Sequence, residues 1–372
     1  MVYLDNAATT FPKPRQVVEA LSECIKKYCG NPARSSHFLS QRSEEKVYEA
    51  RERIAKILGV DRPEGVVFTY NATYAINLAL KTFIIESCHV ITSDIEHNAV
   101  IRPLEKLKRT LGIEYSTFST DGDVESSIRS LLREDTKCII STLCSNVTGK
   151  RVDIAILSKV ARENNLILIL DASQSIGHTD INLQNTPCDV LCAPAHKALF
   201  GIQGAGFAYF KEDRRRESFI EGGSGFDSIK VCMPELLPEG YEAGTLSTPA
   251  IVALSEGVKF VSDVGLSEIE RRLKSLTDLL IDRLSDIPDI RIYPSEFGIV
   301  SFGYKGLSSS LIARELDKCG ICSRAGLHCA PSVHLKLGTL DVGTVRLSLS
   351  YFNKARDIDT LYRAMKEIGS KI

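Results

Sequence analysis

No stretch of this 372-residue chain approaches the ~20 continuous apolar residues of a membrane-spanning helix. Its first residues, Met1 to Thr10, lack a basic region followed by an apolar core, so no secretory signal is expected. There is no long basic run, and the net charge is −1. Both argue against a nucleic-acid footprint, though not against a small anionic ligand. The seven histidines form no zinc spacing; His328, Cys329 and His334 lie close together but lack a further ligand. No internal repeat and no low-complexity segment is visible. The expected partners are therefore neither nucleic acid nor a membrane.

What the chain does have is core-forming residues and thiols. A hydrophobic content of 44% over this length supports two domains, or one large α/β unit with an appendage. Eleven cysteines without a signal sequence imply free thiols and a reducing cytoplasm. Cys319 and Cys322 have redox-motif spacing but no thioredoxin-like context, which favours the reading as two ordinary cysteines.

Strand and helix signals alternate from about residue 16 to residue 210. Arg42 to Leu58 carries Val47, Ala50, Ile54, Ile57 and Leu58 on one face and ends at Gly59, which predicts an amphipathic helix. Val66 to Thr69 reads as a strand, after which Asn71 caps a helix. Further short apolar runs lie at His89 to Thr92, Cys138 to Thr142, Leu166 to Leu170 and Gly206 to Phe210. They are continuous rather than alternating, as buried parallel strands are. The expected architecture is α/β, a mostly parallel sheet with ligands at the carboxyl ends of its strands. Gly222 to Gly244 reads as irregular. A long helical pattern from Pro249 to about Ile287 bends near Gly265, and a smaller α+β region follows.

Lys197 lies in a run from Ala193 to Gly201 that is apolar apart from His196 and itself. Burial lowers a lysine's pKa and makes its amine nucleophilic. Asp171 ends an apolar strand about two dozen residues earlier, where it could face the ring nitrogen of pyridoxal phosphate. A lone lysine beside a histidine is ordinarily a surface residue, and an aspartate after a strand is ordinarily a helix cap. The pair gains meaning from the segments around it.

Those segments are Tyr3 to Thr10 with Pro12–Pro14, Asn71–Thr73, Glu96–Asn98, Ser145–Gly149, Asp171–Gln174, His196–Lys197, Glu242–Thr245 and Arg324–Ala330. In this order and spacing the chain resembles the cysteine desulfurases of the class V aminotransferase family over nearly its whole length. The resemblance implies a type I pyridoxal-phosphate transferase fold and a homodimer. It implies an N-terminal segment (residues 1–15) packed on the small domain, a large cofactor-binding domain (16–245) and a small C-terminal domain (246–372). It also implies roles: Lys197 holds the cofactor covalently and moves protons, Asp171 keeps the ring nitrogen protonated, and Gln174 donates to the phenolic oxygen. His97 stacks on the ring and takes part in proton transfer; Ala72, Thr73 and His196 help bind the cofactor, with Thr73 at a helix N-terminus suited to phosphate. Thr245 reaches the phosphate of a neighbouring subunit. Arg346 grips the substrate carboxylate as a bidentate fork, and Asn146 lies beside cofactor and substrate.

Cys329 distinguishes a desulfurase from a transaminase. A free thiol has a pKa of about 8.5, so a mostly ionised Cys329 at neutral pH needs a shift of roughly two units. Arg324 and His328 are the nearby candidates to supply it. The short interval from Cys329 to Arg346 resembles the branch with a shorter, less mobile catalytic loop, in which a dedicated acceptor protein commonly takes the sulfur. The implied reaction converts L-cysteine to L-alanine. L-selenocysteine lysis, another pyridoxal-phosphate-dependent C–S lyase or aminotransferase reaction, and a non-catalytic dimeric sulfur carrier or interaction protein are the alternatives. The main departure is Pro194, where the family usually has a hydroxyl residue that binds phosphate; a hydrogen bond to a charged group is worth roughly 1.5–3 kcal/mol. Ala195 and Ile202 likewise replace a usual glycine and proline.

Overall fold

The computed structural model describes residues 1–32, 35–212, 219–226 and 229–371. Its centre is a seven-stranded sheet in the order Val66–Thr69, Gly206–Phe210, Val190–Pro194, Ile167–Asp171, Thr136–Thr142, His89–Ser93, Glu114–Phe118. The last five run parallel to one another, and Gly206–Phe210 is antiparallel to both of its neighbours. The runs Val66–Thr69, His89–Ser93 and Gly206–Phe210 are buried along their whole length, although the last is antiparallel rather than parallel; Val190–Pro194, not among the runs read in the sequence, is equally buried. Two apolar layers cover the sheet. One includes Val66, Ile139, Leu168 and Leu191, and the other Val67, Ile140, Ile169 and Val190.

The helix read from Arg42 to Leu58 spans Phe38–Ile57, with Val47, Ala50 and Ile54 buried. The long pattern after Pro249 is two helices, Thr248–Val264 and Leu266–Ser285, broken at Gly265, whose φ is +87°. The first packs against helices Arg15–Lys27 and Phe38–Ile57, and its Ile251, Leu254 and Val258 join the core of the large sheet. The second belongs with a four-stranded antiparallel sheet in the order Arg324–Gly326, Thr344–Ser348, Ile299–Tyr304, Ile290–Ile292. The N-terminus reaches this region: Val2 and Tyr3 pair with Ile321 and Cys322 in parallel, and Asp5 bridges to Ser348. Residues 222–226 and 229–244 contain no helix or strand. Among the described residues no helix is long and apolar enough to cross a membrane.

Candidate active site

The carboxyl ends of five strands surround one cavity of ≈ 510 Å³. Ala72 and Thr73 follow Val66–Thr69, and His97 follows His89–Ser93. Asn146 comes after Thr136–Thr142, Asp171 and Gln174 close Ile167–Asp171, and His196 and Lys197 follow Val190–Pro194. Eight residues singled out in the sequence thus meet on one surface, joined by Pro194, Thr142 and Cys144.

Asn71 caps the helix Ala72–Phe83, its side chain accepting from Tyr74 N at 2.9 Å. The N–H groups of Ala72 and Thr73 stand at the helix entrance, where an anion is favoured. His97 caps the helix Asn98–Leu111 in the same way, its Nδ1 accepting from Ala99 N at 3.0 Å. That bond places the proton of the neutral ring on Nε2.

Burial pulls the Lys197 amine down to about 8, with Asp171 opposing the shift and Arg346 and Arg324 adding to it. Burial likewise drops His97 and His196 to about 4, so both rings are neutral at neutral pH. Asp171 is 3% exposed and accepts from Ser173 N at 2.9 Å. Gln174 donates from Nε2 to Ala7 O at 2.9 Å. Glu96, given no role in the sequence reading, is fully buried and pushed up to about 8 by that burial. It accepts from the Ser93 hydroxyl and from Thr142 N at 2.8 Å, and so ties two strand ends together as a neutral acid.

Arg346 lies behind Asn146 and is 1% exposed. Its Nη1 donates to Asn146 O at 3.0 Å and its Nη2 to Asp5 Oδ1 at 2.8 Å, while Nε has no partner among the described residues. Arg324 sits opposite it in strand register. Cys329 is exposed, on a short loop between Arg324–Gly326 and helix Pro331–Leu337. Two bonds fasten that loop to the cavity wall: Asn146 Nδ2 to His328 O and Asn98 N to Cys329 O, both 2.7 Å. His328 and Cys329 hold φ of +49° and +58°, a left-handed geometry that side chains adopt at a cost. His328 is buried, with Nε2 at 3.1 Å from Thr344 O and Oγ1, and burial drives it down to about 2. It therefore carries no positive charge for the thiolate. Of the two candidates for that task, Arg324 alone is a cation.

Thr245 does not line this cavity. It borders a separate depression of ≈ 840 Å³ beside Tyr48, Arg51 and Glu242. Arg51 and Glu242 form a buried ion pair at 2.6 Å behind it. The sequence marks Asp5 and Lys13 only as charges among largely uncharged neighbours, within Tyr3–Thr10 and Pro12–Pro14.

The donor set fits pyridoxal phosphate. A helix entrance suits its phosphate, a buried carboxylate its ring nitrogen, and a desolvated amine its aldehyde; the buried Nδ1 of His196 has no partner among the described residues. Pro194, on the wall of the same cavity, offers neither hydroxyl nor N–H.

The model of the family described as Aminotransferase class-V matches residues 2–361. A probable cysteine desulfurase of Methanothermobacter thermautotrophicus is 32% identical over 99% of this chain and 94% of its own. The cysteine desulfurase of Thermococcus onnurineus superposes with a TM-score of 0.90 at 28% identity, covering 100% of this chain and 95% of that one. The cysteine desulfurase CsdA of Escherichia coli does so with 0.89 at 25% identity, with the same coverage. The seven-stranded sheet is that of the type I fold, as the sequence led us to expect. With a family match spanning nearly every residue and a cavity built from the matching segments, the chain belongs to the class V aminotransferases.

Proposed function

We propose that this protein is a pyridoxal-phosphate-dependent cysteine desulfurase that converts L-cysteine to L-alanine and holds the sulfur as a persulfide on Cys329. The observation that carries this reading is the fastening of an exposed thiol to the cofactor cavity. Asn146 bonds the loop of Cys329 with its side chain and Arg346 with its carbonyl.

When bound, pyridoxal phosphate supplies an electron sink for the substrate's Cα. Lys197 would hold it covalently, and Ala72, Thr73 and His196 would bind its phosphate. Asp171 would keep its ring nitrogen protonated, and His97 would lie on its face. Arg346 takes the substrate carboxylate through its remaining N–H groups, which sets Cα toward Lys197 Nζ. An amine held near 8 can both accept and return a proton close to neutral pH. The Cys329 thiolate attacks the substrate sulfur; a new S–S bond forms, the C–S bond breaks, and its electron pair leaves with carbon. A proton taken up at Cβ and one returned to Cα give alanine. An acceptor thiol then takes the outer sulfur and restores Cys329.

Thr245 would serve the phosphate of a second copy in a homodimer, in keeping with its place outside its own chain's cavity. A fastened loop favours an acceptor that comes to the cysteine. Eleven free thiols fit a reducing cytoplasm.

The test is to purify the protein, record its visible cofactor absorbance, and assay alanine and sulfide from L-cysteine for wild type and Cys329→Ala. Wild type should form both, and the variant should lose both. Alanine production that survives the substitution overturns the persulfide step. A colourless protein that stays inactive with added pyridoxal phosphate overturns the assignment as an enzyme.

A further inference from the structure

The carbonyl oxygen of His196, one peptide bond from Lys197, finds its hydrogen-bond partners in the N-terminal segment. Thr10 N approaches it at 3.0 Å, Thr9 Oγ1 at 3.0 Å, Thr10 Oγ1 at 3.2 Å and Lys13 Nζ at 2.9 Å. A carbonyl has two lone pairs, so charge decides among the donors, and Lys13 carries it. Lys13 also donates to Thr10 Oγ1 at 2.8 Å, which turns that hydroxyl's own proton toward Lys197 O at 2.9 Å. One ammonium thus reaches two consecutive carbonyls, the first directly and the second through a hydroxyl.

This ammonium is costly to keep. It is half-buried, pulled down to about 8 by desolvation, and paired with no carboxylate among the described residues. A cation without a counter-charge is a poor way to stabilise a fold. Its bonds go instead to the main chain that carries the candidate attachment lysine. On the other side of that lysine the chain is already closed by Phe200 N to Lys197 O and Gly201 N to Ala195 O, both 2.9 Å. Before it stands Pro194, with no N–H to pin the approach.

We propose that Lys13 is a positioning residue for Lys197, fixing through His196 and Thr10 the backbone from which the amine reaches the cofactor. The amine lies ~6 Å from its Cα, so turning that backbone by ~10° displaces it by ~1 Å. A misplacement of ~1 Å can cost on the order of 100-fold in rate. This inference rests on Lys197 being the attachment residue, and its test separates the two claims.

Cofactor-free wild type, Lys13→Met and Lys13→Arg are mixed with pyridoxal phosphate. The linkage is fixed with borohydride at timed intervals, and the modified peptide is identified by mass. Binding of pyridoxamine phosphate, which cannot form the linkage, is measured in parallel. Wild type should be modified at Lys197. Lys13→Met should be modified about 10- to 100-fold more slowly, with affinity for pyridoxamine phosphate retained and turnover of L-cysteine reduced in kcat more than in KM. Lys13→Arg, which restores a cationic donor, should recover much of the rate. Wild-type modification elsewhere overturns the attachment reading. Modification of Lys13→Met at the wild-type rate overturns the positioning role. So does a loss of pyridoxamine phosphate affinity matching the loss of rate, because it marks general damage.

Discussion

Asp5 and Arg346, 341 residues apart in sequence, form an ion pair at 2.8 Å inside the site. The carboxylate occupies Nη2 of the guanidinium that is assigned to the substrate's own carboxylate. With Asn146 O on Nη1, it fixes the plane of the fork and leaves Nε without a partner among the described residues. Asp5→Asn keeps the shape and removes the charge. Arg346 should then turn more freely in its pocket, and KM for L-cysteine should rise by about tenfold, the equivalent of roughly 1.4 kcal/mol. Steady-state kinetics check this. An unchanged KM would mean that Asp5 has no part in shaping the carboxylate site.

The free amine of Lys197, rather than its ammonium, adds to an aldehyde. Burial holds it to about 8. Covalent loading of the cofactor-free protein should therefore speed up through pH 7–8 and level off about one unit above 8. An ordinary lysine would keep accelerating toward ~10.4. The stability effect has a definite sign. Between about 8 and ~10.4 the unfolded chain binds the extra proton, so this group makes the cofactor-free protein more stable as pH rises through that window. Rate against pH for the Lys197 adduct is the measurement.

Most strands of the large sheet are legible because buried strands leave continuous apolar runs; Glu114–Phe118, partly exposed, and Val190–Pro194 are not among those runs, and of the two helix caps Asn71 is legible and His97 is not. Lys197, Asp171 and Cys329 stood out through their segments. Glu96, Asp5 and Lys13 did not, because their meaning is tertiary. Glu96 joins two strand ends, Asp5 reaches a strand more than three hundred residues away, and Lys13 acts on carbonyls at 196 and, through Thr10, 197. The state of His328 was hidden for the same reason. Its position beside Cys329 suggested a charge, and only burial reveals a neutral ring.

His97 has two separable tasks. Its Nδ1 caps a helix, and its ring lines the cavity. Asn supplies the cap without the ring, whereas Ala supplies neither. His97→Ala should lose about 1 kcal/mol of stability and His97→Asn only a few tenths. Both should lose turnover. Thermal melts set beside alanine production separate the tasks; equal destabilisation by the two variants would show that the cap contributes little.

Gly257 lies in helix Thr248–Val264 where it crosses the turn after Lys197. A Cβ there would meet Leu199 O at 1.9 Å and Gly201 N at 3.0 Å. Backbone cannot yield as a side chain can, so the helix or the turn must move. Gly257→Ala should destabilise the protein by roughly 1–3 kcal/mol, the usual range for overpacking. It should also weaken cofactor retention, because the displaced turn carries Lys197. Denaturant unfolding and visible absorbance after dialysis test the two parts. A stable variant that releases no cofactor would show that the crossing has slack.

Asn146 connects the loop of Cys329 to Arg346. Its Nδ2 holds His328 O at 2.7 Å, next to two residues in left-handed backbone. That geometry survives only where the surroundings impose it. Removing the side chain in Asn146→Ala leaves Asn98 N at Cys329 O and the His328 ring at Thr344 as fastenings of the loop. Amide exchange over residues 327–330 should then quicken. Cys329 should still react with iodoacetamide, since the thiol is already exposed, but alanine formation should fall about 10- to 100-fold, because attack on the substrate sulfur needs the loop in register with Arg346. Unchanged exchange would mean that Asn98 and the His328 ring hold the loop without Asn146. Fast exchange with undiminished alanine formation would mean that the reaction tolerates a mobile cysteine, and the fastened loop would lose its place in the mechanism.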